Sequence, residues 1–229
     1  MSNLFVTTEG AWDDGSVRMT TLSIAIVIAL ILALIIVAAV LRQRKSEKKA
    51  KLTTKQLVFS AAAMALAIVC SMIKFADLPM GGSITLFSML FIVLIGYWYG
   101  PYVGLMTGIA YGLLQFVMEP IFYTVPQMLT DYPLAFGALG LSGFFYKKKW
   151  GLQIGYVAGV IGRYIFAVIS GFIFFGSYAP EGMHPLVYSL GYNATYIVPE
   201  AVVTLIIISI PPIAKALAYV RRQAVEEKA

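Results

Sequence analysis

Twenty consecutive residues, Leu22 to Leu41, contain no charge and one polar side chain, Ser23. A helix crosses the roughly 30 Å hydrocarbon core of a bilayer with about 20 apolar residues. Comparable stretches recur at about 54–73, 84–99, 102–118, 127–146, 151–175 and 194–218. The spacing therefore predicts an all-α integral membrane protein. Composition points the same way: 60% of the 229 residues are hydrophobic and 12% are charged, whereas a soluble domain carries about 25% charged residues. These values exclude a soluble enzyme, a disordered tail and a nucleic-acid-binding module.

Residues 1–19 are polar and mildly acidic. A secretory signal would start basic and have an apolar core of about 7–15 residues. The acidic start and longer core predict a retained extra transmembrane helix over 20–41. A basic linker follows at 42–52, beginning RQRKSEKKAK. Residues 53–220 read as a larger six-span unit, and 221–229 as a tail. Glycines and small residues recur in the spans, as close packing of membrane helices requires.

Basic residues collect on the cytoplasmic side of membrane proteins. With the linker inside, every basic residue except Arg18, Lys74 and Arg163 falls in or beside the cytoplasm. All acidic residues except Glu47, Glu226 and Glu227 fall outside or in the outer half. The N-terminus is thus expected outside and the C-terminus in the cytoplasm. The outer loops Asp77–Ser83, Glu119–Pro126 and Gly176–Pro185 then carry the acidic, aromatic, Gly and Pro residues. Such loops on one face of a rigid bundle are where binding sites form.

No phosphate-binding loop, zinc-protease or nucleophile-elbow motif occurs. The single histidine, His184, has no partner for a metal, and Cys70 reads as a small packing residue. Charges within spans are expensive and mark function by default. Asp131 opens the fourth core span, where it suits a cationic ligand as counter-charge. Arg163 lies mid-span and is expected to pair with a carboxylate or with helix carbonyls. Glu200 follows Pro199 in the last span. Tyrosines crowding the outer half are either interface anchors or faces for a flat cation. Asn193 offers a donor and an acceptor. Ala61 with Ala65, and Ala63 with Ala67, form small-xxx-small pairs that suit either internal packing or a partner helix.

Four stretches carry a resemblance to a known family: GGSITLFSM at 81–89, YGPYVGLMTGIAYGLLQ at 99–115, PQMLTDYPLAFGALGLSG at 126–143, and the segment 163–200 containing FFGSYAPEG and YSLGYNATY. Over residues 53–220 the chain resembles the thiamine-specific substrate-binding (S) components of energy-coupling factor (ECF) transporters. The resemblance implies a six-helix bundle with an outward-facing thiamine pocket, and no enzymatic activity or cofactor. It also implies assembly with a transmembrane coupling protein and two ATPase subunits. The family's acidic–tyrosine pair falls on Asp131 and Tyr132. Its other ligand-contacting positions fall on Tyr111, Tyr123, Phe175, Tyr188 and Asn193, and its coupling face falls on Ala61 and Ala65. The chain departs from the family at Ala167, where many members have histidine, and at Phe175 and near Gly82, where some have tryptophan. These departures leave a thiamine precursor or analogue, its pyrimidine or thiazole moiety, as the alternative ligand.

Overall fold

The computed structural model describes residues 6–7, 18–19, 52–78 and 82–225. The expected extra helix at 20–41 and nearly all of the linker at 42–52 lie outside the described residues, as do most of 1–19 and residues 226–229. Two short strands, β1 (Val6–Thr7) and β2 (Arg18–Met19), pair antiparallel.

The bundle opens with α1 (Thr54–Met72). Thr53 starts it with a reciprocal capping box: its hydroxyl accepts from the Gln56 amide, and the Gln56 side chain accepts from the Thr53 amide. Such a box satisfies two amides that the first turn leaves open. Only Ser60, Ala63 and Ala67 are buried on α1, whereas Ala61 and Ala65 are exposed. One small-residue pair thus packs inward and the other faces outward.

After α1, β3 (Ala76–Asp77) pairs with β4 (Ser83–Ile84). The helix expected over 84–99 is shorter, α2 (Ser88–Tyr99). At about 1.5 Å per residue it is too short to span a membrane alone. It is buried on nearly every face, with Met89, Ile92, Val93 and Ile95 fully enclosed. Gly100, at φ +91°, turns the chain in a conformation that disfavours side chains, and Pro101 starts α3 (Pro101–Met118).

The fourth core helix, α4 (125–145), is composite. An α-helical turn over Val125–Leu129 widens to a π-turn over Thr130–Leu134 and tightens to a 3-10 helix over Ala138–Phe145. Pro133 lacks an amide hydrogen and would crowd an ordinary turn. The helix accommodates it by widening, and the Ala135 amide reaches back to the Thr130 carbonyl. Next come α5 (Gly151–Phe174) and α6 (Pro185–Ser209).

The last span was expected over 194–218. Instead α6 begins nine residues earlier and stops at Ile210, which is extended before Pro211. A residue preceding proline is disfavoured in the helical region. A separate helix, α7 (Pro211–Val225), then folds under the bundle. Arg221 of α7 donates to the Tyr146 carbonyl at 2.8 Å and lies over the Tyr97 ring. The Tyr99 hydroxyl donates to the Ala224 carbonyl.

Among the described residues, α1, α3, α5 and α6 are each long and apolar enough to cross a membrane. Leu66, Val69, Leu113, Val117, Ile161, Ile165, Val202 and Ile206 are all exposed. An apolar exterior of this extent suits lipid. The interior is drawn tight by glycines on α3, where backbones meet directly. A β-carbon at Gly108 would lie 2.5 Å from the Phe136 carbonyl oxygen, and one at Gly104 would lie 2.6 Å from Gly96.

Valine at Gly108 is expected to lower the thermal midpoint of the detergent-solubilised protein, at an overpacking cost of about 1–3 kcal/mol. Alanine at Gly191, where an added β-carbon meets nothing within 4 Å, is the neutral control. Equal midpoints for the two variants would contradict direct α3–α4 backbone contact.

Candidate binding site

The C-terminal ends of α1, α3 and α5 and the N-terminal ends of α2, α4 and α6 meet at one end of the bundle, opposite Arg221. They enclose a cavity of about 390 Å³, within the roughly 300–1,000 Å³ range of small-molecule sites. The loops after α1 and α3 border it. On α5, Arg163, Ala167 and Gly171 line it at four-residue spacing, as one face of a helix must, and Phe175 just past the end of α5 continues the row. On α6, Tyr188, Ser189, Tyr192, Asn193 and Tyr196 form the opposing wall.

Asp131 reaches this cavity from the π-turn of α4. Its Oδ2 accepts from Gln127 Nε2 at 2.6 Å. Gln127 is fully buried. Its other bonds run to the α3–α4 loop, accepting from the Tyr123 amide at 3.0 Å and donating to the Ile121 carbonyl at 3.2 Å. One amide side chain therefore ties the carboxylate to the loop that rims the cavity. Gln127 lies one helical turn before Asp131, and that spacing is its only trace in the sequence.

Of the residues carried over from the family, Asp131, Tyr132, Phe175, Tyr188 and Asn193 line the cavity. The Tyr132 hydroxyl is already engaged, donating to the Glu119 carbonyl and accepting from the Ile121 amide. Asn193 is likewise engaged: Nδ2 donates to the Ser189 carbonyl and Oδ1 accepts from the Tyr196 hydroxyl. Phe175 meets Tyr123 edge-to-face at 5.3 Å, and Tyr188 stacks on Tyr192.

Tyr111 and Tyr123 are not in the lining. Tyr111 is fully buried, donates to the Ala67 carbonyl and accepts from Gln115 Nε2 at 2.6 Å. Gln115 itself borders the cavity. Tyr123 stands exposed at the rim, its hydroxyl 3.2 Å from that of Tyr178.

Arg163 departs from expectation. Among the described residues no carboxylate lies within salt-bridge distance of it; its guanidinium sits 4.4 Å over the Phe136 ring. The attraction of a ring face for a cation holds it at the cavity wall. Residues beyond the family positions also matter here. Lys74 spans the mouth, 2.7 Å from Glu119 and 3.5 Å from Asp77. The hydrogen bond to Glu119 holds the Lys74 ammonium above its ordinary pKa. Its contribution is thus present at neutral pH and lost only as pH rises through that elevated value.

The fold and this chamber define a multi-pass helical membrane protein built around a ligand-sized cavity at one end. The model of the thiamine transporter protein family (Thia_YuaJ) matches residues 57–219, and the chain belongs to that family. It is 41% identical over 165 residues to the thiamine transporter ThiT of Bacillus subtilis (strain 168), covering 66% of this chain and 84% of that protein. The thiamine transporter ThiT of Lacticaseibacillus paracasei is 28% identical over 120 residues, covering 45% of this chain and 60% of its own length. The solved structure of ThiT from Listeria monocytogenes shares the fold, with a TM-score of 0.59 and 23% identity over 69% of this chain and 94% of that one. Membership of a transporter family makes the role transport rather than catalysis.

Gln127→Leu is expected to leave the Ile121 carbonyl and Tyr123 amide without their partner, weakening the fold by about 1–3 kcal/mol. Amide exchange at residues 121–123 should accelerate while the middle of α5 keeps its rates. Unchanged exchange at 121–123 would deny Gln127 its role as the tie.

Proposed function

We propose that this chain captures thiamine in the cavity beside Asp131 and delivers it inward as the substrate-binding component of an ECF-type importer. The observation that carries this reading is a carboxylate facing an aromatic-walled cavity of about 390 Å³ in a member of a thiamine transporter family. Thiamine joins an aminopyrimidine to a cationic thiazolium with a hydroxyethyl arm. Asp131 supplies the counter-charge. In a water-poor site that attraction far exceeds its value in bulk solvent. Phe175, Tyr188 and Tyr192 offer faces for the flat rings, with cation–π attraction for the thiazolium. Tyr132 and Asn193 hold the walls in shape through bonds already made. Tyr111 acts one step removed, by orienting Gln115. Tyr123 acts at the rim, against Phe175.

The cavity end faces outward in this reading, because the opposite end gathers Lys147–Lys149, Arg221 and Arg222, the basic cluster expected in the cytoplasm. The exposed face of Ala61 and Ala65 meets the transmembrane coupling protein, which links the bundle to two ATPase subunits. Small side chains let a partner helix approach closely in lipid. Ala63 and Ala67, turned inward, serve the bundle itself.

Isothermal calorimetry is the direct test. Neither Trp98, buried at the far end of α2, nor Trp150, exposed before α5, lines the cavity, so their emission reports poorly on binding. Wild-type protein is expected to bind one thiamine. Asp131→Asn should weaken binding by at least about tenfold, the equivalent of about 1.4 kcal/mol. Affinity unchanged by that substitution would remove the counter-charge role. Tight binding of the pyrimidine or thiazole moiety with none of thiamine would reassign the ligand. Leucine at Ala61 and Ala65 is expected to abolish uptake into cells while purified protein still binds. Equal loss of both would make that face part of the bundle.

A further inference from the structure

Glu200 is the most deeply buried charge among the described residues, 3% exposed in the middle of α6. It does not line the cavity. A carboxylate at this depth is expensive unless its lone pairs are filled. Here they are filled by one short segment. Thr85 Oγ1 donates to Oε2 at 2.7 Å, Ser88 Oγ donates to Oε1 at 2.9 Å, and the Met89 amide donates to Oε1 at 3.1 Å.

Those donors define the start of α2. Its N-cap residue, Phe87, has φ +64° and no side chain able to cap. Glu200 takes over the capping from another helix. Its negative charge also sits at the positive end of the α2 dipole. The segment it grips is a wall of the cavity, since Gly82, Ser83, Thr85 and Ser88 all border that space. Two further residues on the same face of α6 hold the same wall. The Tyr192 hydroxyl accepts from the Gly82 amide at 2.9 Å, and the Tyr196 ring packs against Gly82. Tyr192, Tyr196 and Glu200 are spaced four apart, one row along α6.

We infer that Glu200 is a positioning residue for the binding site: it clasps residues 85–89 to α6 and so holds the cavity wall shut around the ligand. The clasp lies behind the wall, so the carboxylate acts on ligand escape without touching the ligand. The role rests on the thiamine reading for its effect on binding, but the clasp itself is measurable without ligand.

Amide exchange of the ligand-free full chain in detergent comes first. In Glu200→Met, which keeps the length and removes the acceptors, amides 85–90 are expected to exchange about tenfold faster, as for a lost bond to a charged group. The middle of α5 should keep its rates. Thiamine release from Glu200→Met should then be about fivefold faster or more, with association nearly unchanged. Glu200→Gln, which retains one acceptor oxygen, should fall between. Thr85→Val removes a single donor and is the milder variant should Glu200→Met not fold. Added to Glu200→Met, it should change nothing more. Unchanged exchange at 85–90 overturns the clasp, and loosened exchange with unchanged release overturns its role in binding. Failure of the wild type to bind thiamine would instead overturn the ligand assignment, leaving the exchange result to judge the clasp alone.

Discussion

Inside a bilayer an ionised group has no bulk water to solvate it, so a charge placed at depth is costly unless the protein supplies its hydrogen-bond partners. The arrangement of this bundle follows from that demand. Asp131 is answered by Gln127, and Gln127 in turn fastens the loop at 121–123. Glu200 is answered by three donors at the start of α2. Each carboxylate therefore does two jobs. It is hydrogen-bonded by the chain, and through that bonding it fixes a segment that borders the cavity.

Helix packing supplies the rest of the rigidity. Hydrophobic burial gives little drive between helices that could equally face lipid, so close contact must come from shape. The short α2 sits at the centre, buried on almost every side, and α3 reaches α4 through glycines that allow backbone to touch backbone. Against this fixed frame the opening of the cavity is bordered by the ion pairs of Lys74, and the rim beyond it by the paired hydroxyls of Tyr123 and Tyr178. The hydrogen-bonded carboxylate Glu200 thus lies deep, and the solvent-facing ion pairs of Lys74 lie at the opening.

Much of this was legible beforehand. Apolar length located the core helices, because crossing hydrocarbon imposes a minimum run. Asp131 stood out because an ionisable residue in such a run demands explanation. The boundaries of the last span were misread for an equally physical reason. Tyr188, Ser189, Tyr192 and Asn193 lower the apparent hydropathy of its first turns, but they face a protein cavity and not lipid, so the helix continues through them. At its other end the Pro211–Pro212 pair ends α6 where hydropathy alone continued it. Gln127 and Glu200 were illegible as ties, since their partners lie in other elements or depend on a π-turn.

The sequence by itself determined the membrane setting, the all-helical class and the family, because each rests on composition, run length or a local motif. Tertiary structure decided which of two alanine stripes faces outward, which tyrosines border the cavity, and that Arg163 rests on Phe136 in place of a carboxylate. Those outcomes depend on the rotation of each helix about its axis and on contacts between residues as far apart as Thr85 and Glu200. Local pattern carries no record of either, since both are set only when the helices pack.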